Sequence, residues 1–317
     1  MRKKNLRAAI FLIIGAALYF LSNVVGEYRV SEGTTAACYI IAIASIVLLT
    51  GYTGQISLGH GALMAVGAYA AVLARSHWHL SLGLTFVVAV LAAALAGALL
   101  GVAAARLRGP YLAGTTLALA VGLPSLANQF KIFGGEQGLI YDTGAAPDSM
   151  MKNNTDYKWY FWISALAALI IVWVLSNLLN SRYGRQWRAL RSAPLPASLA
   201  GLNVARSKVL AFTISSGVAG LAGALLAMSL KLVAPSDFPL ALSFTILTGA
   251  VLAGVSSLAG TIFGALVLVA IPDLTSSLGD HFAMSERVAS NLPGFITSLL
   301  LIATVIFLPN GPKFLKK

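Results

Sequence analysis

Long apolar stretches alternate with short polar ones along this chain, in a pattern unlike that of a water-soluble fold. The runs occupy residues 8–25, 36–49, 58–74, 80–105, 111–127, 159–179, 209–230, 240–252, 261–271 and 292–308. Several approach the roughly 20 residues that a helix needs to cross a bilayer. The pattern predicts an all-α integral membrane protein of about ten (eight to ten) transmembrane helices, forming a single transmembrane domain over residues 1–317. The runs beginning at Leu58, Leu240 and Thr261 are short or interrupted by glycine.

Composition agrees. Of the 317 residues 58% are hydrophobic and 10% are charged, where soluble domains carry about 25% charged residues. The placement of the charges then tests the count, because Lys and Arg accumulate in cytoplasmic loops. Numbering the loops alternately from an inside N-terminus puts Arg2, Lys3, Lys4, Arg7, Arg106, Arg108, the arginines between 182 and 206, Lys208 and Lys313–Lys317 inside, and all ten acidic residues outside. One helix more or fewer in the first half would destroy this segregation. Ten spans with both termini cytoplasmic, in a bacterial-type inner (plasma) membrane, is the expected topology. The net charge of +12 therefore lies at membrane boundaries and not on a soluble basic face, so no nucleic-acid partner is expected. Arg2, Lys3 and Lys4 before an apolar run resemble a signal peptide, but Glu27, Arg29 and Glu32 separate that run from Cys38, where a lipoprotein-like cleavage box would end.

No phosphate-binding loop, metal-ligand spacing or nucleophile motif is visible in the sequence. No catalytic residue, cofactor or metal of its own is expected of the chain. The apolar runs carry no Asp, Glu, Lys or Arg near their centres, although ion-coupled transporters commonly place ionisable groups there. Energy is expected to enter from another chain.

Two segments have an unusual texture. Residues 51–62 read GYTGQISLGHGA, and residues 254–265 are similarly rich in Gly and Ser. Glycine at this density destabilises a helix and permits unwinding or close approach. Within a bilayer, irregular backbone survives only where protein or a water-filled cavity satisfies it. Broken or re-entrant helices beside a pathway and tight packing through small residues account for both segments equally well. On the pathway reading Tyr52, Gln55, Ser57, Gly59, His60 and Gly61 are the candidate residues, with free N–H groups of an unwound helix able to face a substrate carboxylate. His60 taken alone fits a packed, hydrogen-bonded histidine better than a ligand. Tyr111, Thr115 and Thr116 fit helix packing.

Between residues 181 and 208 the chain is polar and basic, with Arg182, Arg185, Arg188 and Arg191 every third residue. Pro194 and Pro196 should interrupt one helix before a second short one begins, with Gly201 capping the second. The sequence GRQWRALR, then ASLAGLNVARSKVLAF and AGLAGAL, resembles the ATPase-coupling region of branched-chain amino acid ABC permeases. GYTGQISLGHGAL, GPYL from Gly109, GGEQGL from Gly134 and the terminal FLPNG are similar to that family's other motifs. The resemblance, closest to the M-type subunit, implies an importer for branched-chain or other aliphatic amino acids. In it a second related permease subunit completes the pathway, two ATP-binding subunits supply energy and an extracytoplasmic substrate-binding protein delivers the cargo. It also implies ATPase coupling through Arg185, Arg188, Arg191, Leu195, Ala197, Gly201 and Asn203. The loop at Gly134–Gly138 is a further candidate contact for the binding protein. The chain departs from the family pattern at Ser192–Pro194 and Ser198, where members usually carry acidic residues, and at Val121 and Ser256. Urea or short amides, carried by close relatives, and ATP-independent passage are the alternatives.

Overall fold

The computed structural model describes residues 26–106, 110–144, 146–147, 156–281 and 286–307. The apolar run 8–25 and both terminal basic clusters lie outside them.

The described residues form helices in chain order: α1 (Glu27–Ile46), continued by a π-helical turn (Val47–Tyr52); α2 (His60–Trp78); α3 (Leu82–Arg106); α4 (Pro110–Gln129); α5 (Tyr157–Asn180); α6 (Arg182–Ser192); α7 (Pro194–Leu199); α8 (Val204–Leu230); α9 (Leu240–Leu252); α10 (Gly260–His281); and α11 (Glu286–Phe307). A two-residue antiparallel pair, β1 (Leu139–Ile140) with β2 (Leu232–Val233), joins the loops after α4 and α8.

Among the described residues, five helical stretches are long and apolar enough to cross a membrane: Glu27–Tyr52, Leu82–Arg106, Tyr157–Asn180, Val204–Leu230 and Pro235–Leu252. Gly260–Thr275 and Asn291–Thr304 are shorter apolar helices. α2 and α4 have 19 and 20 residues. Their apolar character is diluted, by Arg75, Ser76 and His77 in one and by Thr115, Thr116, Ser125 and Asn128 in the other. α1 starts nine residues before the apolar run at Ala36. Its first turns carry Arg29, which pairs with Glu32 at 2.8 Å and with Asp273 of α10 at 2.6 Å.

α8 lies at the centre, packed on α1, α2 and α3. Its contacts with α2 and α3 are nearly backbone to backbone. A β-carbon at Gly67 would collide with the Gly220 backbone, one at Gly220 with Ala93, and one at Gly97 with Ser216. Without a hydrophobic drive in lipid, small residues that admit such close packing hold helices together. α3 shows the complementary sidedness. Ala89, Ala93, Gly97 and Gly101 are buried, whereas Leu91, Leu95, Leu99 and Val102 point outward, the reverse of an amphipathic helix in water.

The two ends of the bundle differ in charge. At one, Asp156 accepts from Lys231 at 2.6 Å, Arg75 meets Asp142 at 3.6 Å, and Arg29 holds Asp273. The hydrogen bond that it donates to Asp156 holds the Lys231 ammonium above the usual lysine range. At the other end lie Arg106, α6 and the start of α8 with Arg206 and Lys208.

Candidate functional site

The glycine-rich segment at 51–62 is a real break. α1 widens into the π-helical turn Val47–Tyr52, the chain runs without regular structure to Gly59, and α2 starts at His60. Gly54 sits at φ 71°, a conformation that glycine adopts without the β-carbon clash of other residues. Local hydrogen bonds hold the turn. Gly54 N–H donates to Thr50 O at 3.2 Å, and Thr50 Oγ1 donates to Gln55 O at 3.0 Å. Gln55 Nε2 donates to Thr53 Oγ1 at 2.8 Å, which in turn donates to Leu49 O.

Neighbouring helices satisfy the start of α2. Leu58 N–H donates to Thr116 Oγ1 of α4 at 2.9 Å, and Gly61 N–H donates to Ser243 Oγ of α9 at 3.0 Å. Gly59 N–H reaches Ser57 Oγ at 3.4 Å. These three N–H groups are thus engaged by hydroxyls, where the sequence suggested free donors. Thr116 serves helix packing, as its position in the sequence suggested.

His60 is buried and bonded at both ring nitrogens, to Ser57 Oγ at 3.1 Å and Ser215 Oγ at 3.0 Å. Ser215 Oγ donates its own proton to Ser45 O at 2.7 Å. It must therefore accept from His60 Nε2–H, which leaves Nδ1 to accept from Ser57. The histidine is a clamp between α1, α2 and α8. Among the described residues no protein group bonds Gln55 Oε1, although the side chain is buried.

The second glycine-rich segment is the turn between α9 and α10, with Gly254 at φ 74° and Gly260 N–H donating to Ser257 Oγ at 3.1 Å. The two breaks meet: a β-carbon at Gly51 would run into the Val255 carbonyl.

The polar segment folds as two short helices. α6 is capped by Ser181 Oγ, which accepts from Tyr183 N–H at 3.2 Å. α6 buries Gly184, Trp187 and Leu190 and leaves its arginines outside. Trp187 Nε1 donates to Ser207 O at 3.1 Å, which fixes α6 to the start of α8. α7 begins at Pro194 itself. The prolines initiate this helix and do not stand before it, because the missing N–H of a first-turn proline is unbonded in any helix. Gly201 stands at φ 86°, with its N–H donating to Ser198 O at 3.0 Å and Leu202 N–H to Ala197 O at 3.1 Å. This pair of bonds is a Schellman cap. Asn203 Oδ1 then accepts from Arg206 N–H at 2.9 Å and caps α8.

Leu195 and Leu199, one turn apart on α7, are 74% and 89% exposed, while Ala197 is buried. Leu199 was missed in the sequence, although its i+4 spacing from Leu195 is the signal that finds it. Arg185 donates to Asn180 O at 3.5 Å and Arg188 to Leu179 O at 3.3 Å, with Arg188 lying 5.7 Å from the Tyr52 ring centre. Arg191 donates to Gly51 O. The two sets of candidate residues are therefore neighbours. A cavity of about 680 Å³ between them is lined by Thr53, Gln55, Trp187, Arg191, Leu195 and Lys208, among others.

The permease component family of branched-chain amino acid transport systems matches residues 30–306. The high-affinity branched-chain amino acid transport system permease protein LivM of Escherichia coli is 30% identical over 301 residues, covering 88% of this chain and 70% of the relative, and LivM of Salmonella typhimurium matches to the same extent. The corresponding permease protein LivH of Salmonella typhimurium is 27% identical over 191 residues, covering 60% of this chain and 54% of the relative. No solved structure matches the chain. A match across most of the chain, joined to the membrane-type helices and the paired breaks, establishes that this protein belongs to the branched-chain amino acid transport permease family.

Proposed function

We propose that the chain is the translocation subunit of an ATP-driven importer for branched-chain or other aliphatic amino acids. The observation that carries this reading is the exposed apolar tip of α7. Leu195 and Leu199 project from a proline-initiated helix at the basic end of the bundle, and clustered arginines favour the cytoplasmic side of a membrane. Large leucines on a short helix outside the spanning segments fit the groove of a partner protein. ATP-binding subunits are the partners that the family implies. Similarity to both LivM and LivH supports pairing with a second, related permease. An extracytoplasmic binding protein would dock at the opposite end, which carries Asp142, Asp156 and Asp273.

In this reading ten spans leave both termini in the cytoplasm, and the breaks at 51–59 and 253–259 line the route. ATP-driven closure of the partner subunits moves α7, and the bundle converts that movement into alternating access. The test is radiolabelled leucine uptake into vesicles holding the chain with its co-purifying partners, with and without internal ATP. Accumulation that requires ATP supports the importer; equilibration without ATP overturns it.

A further inference from the structure

We propose that Arg191 is a positioning residue that transmits movement of α7 to the π-helical turn of α1, an inference that rests on the ATP-coupled reading above. Arg191 stands near the end of α6, and only Ala193 separates α6 from α7. Prolines at 194 and 196 fix φ along the first turn of α7, so displacement of α7 reaches Arg191 with little slack. α6 itself is pinned by Trp187 to the first turn of α8.

The contact that Arg191 makes differs from those of the other arginines of α6. Arg182 donates to its neighbour Tyr183, Arg185 to Asn180 O, and Arg188 to Leu179 O at the end of α5. Arg191 instead donates to the carbonyl of Gly51, and its Cγ packs where a β-carbon on Gly54 would lie at 3.2 Å. Gly51 belongs to the last turn of its helix, where carbonyls lack helical partners and a cation is favoured by the helix dipole. A charged donor gives the stronger kind of hydrogen bond. Arg188 over the Tyr52 ring adds a second contact on the same turn.

The receiving element is suited to moving. π-Helical turns are rare and concentrate at functional sites, and this one leads directly into the break. Gly51 also lies against Val255 without a side chain between them, so a shift of the π turn must shift the α9–α10 break as well. The contacts form one continuous route from α7 through Arg191 and Gly51 to Val255.

Reconstituted complexes containing all partner subunits provide the test, with leucine uptake and ATP hydrolysis measured in the same vesicles. Arg191→Gln should assemble and hydrolyse ATP, but consume at least about fivefold more ATP per leucine moved, the lower end of ordinary coupling effects. Arg191→Lys, which keeps the charge and one donor, should lie between, and Arg182→Gln should match the wild type. A wild-type ratio in Arg191→Gln overturns the proposal. So does parallel loss of hydrolysis and uptake in an assembled complex, which would mean a docking role. If Arg191→Gln fails to assemble, Arg191→Lys decides: a raised ratio supports the relay and an unchanged ratio overturns it. Should the wild-type complex equilibrate leucine without ATP, the importer reading fails first and the relay falls with it.

Discussion

His60 Nε2 donates to Ser215 Oγ at 3.0 Å, joining positions 155 residues apart in the chain. The same ring accepts from Ser57, and Ser215 passes a hydrogen bond on to Ser45 O. Three helices are thereby tied at the point where one of them breaks.

Replacing His60 by Leu leaves two buried hydroxyls short of a partner, which costs about 1–3 kcal/mol for an unmet buried group. His60→Leu should lower the thermal unfolding midpoint of the detergent-solubilised protein. His60→Gln can offer one acceptor and one donor, and should keep most of the stability and normal leucine uptake. Loss of uptake in a stable His60→Gln protein would give the imidazole a role beyond clamping.

Some of this arrangement was legible in the sequence. The apolar runs at 80–105, 159–179 and 240–252 closely match α3, α5 and α9, because lipid-facing Leu and Val declare themselves by composition alone. The break after Gly51 was visible for a similar local reason: Gly, Thr and Ser at that density do not continue a helix. What was hidden depends on distant partners. Glu27–Thr35 reads as a loop until Asp273 supplies a partner for Arg29. The N–H groups at Leu58 and Gly61 look free until Thr116 and Ser243 arrive from α4 and α9. Nothing local to residues 185–203 shows that the arginine segment lies against the break.

The glycines separate into two groups that mutation should distinguish. Gly67→Ala places a methyl group against the Gly220 backbone, and overpacking of this kind costs about 1–3 kcal/mol. Gly114 of α4 has nothing within 4 Å of a would-be β-carbon. Gly114→Ala should be neutral, or favour the helix by up to about 1 kcal/mol. Thermal unfolding of the isolated chain in detergent reads both, and equal sensitivity at the two positions would contradict the packing of α2 on α8.

At the tip of α7, Leu195→Asp and Leu199→Asp should leave the chain's own stability within about 0.5 kcal/mol, because surface changes away from special features usually do. Both should weaken recovery of the ATP-binding subunits, each by about 2 kcal/mol or more if they act as interface anchors. Co-purification from membranes measures this. Full recovery of the partners with both variants would remove α7 from the interface.

Gly201→Val tests the cap behind that tip. No atom lies within 4 Å of the missing β-carbon, but φ is 86°, so the cost is backbone strain and not collision, about 1–2 kcal/mol. The end of α7 should loosen, and stimulation of ATP hydrolysis by substrate should fall even where the subunits still assemble. Gly201→Asn, with a residue that tolerates positive φ better, should retain more of it.

Gln55 separates a fold role from a transport role most cleanly. Its Nε2 is held by Thr53, which is itself bonded to Leu49 O, so the amide orientation is fixed and Oε1 is the atom left without a bond from the described residues. A buried acceptor in that condition costs about 1–3 kcal/mol, and an apolar side chain of similar length would relieve it. Gln55→Met should therefore leave the unfolding midpoint unchanged or raised. If Gln55 also presents its carbonyl to the ammonium group of a passing amino acid at the edge of the cavity, leucine uptake should fall in the same variant while the complex stays assembled. A stable Gln55→Met protein with normal uptake would take the residue out of the pathway.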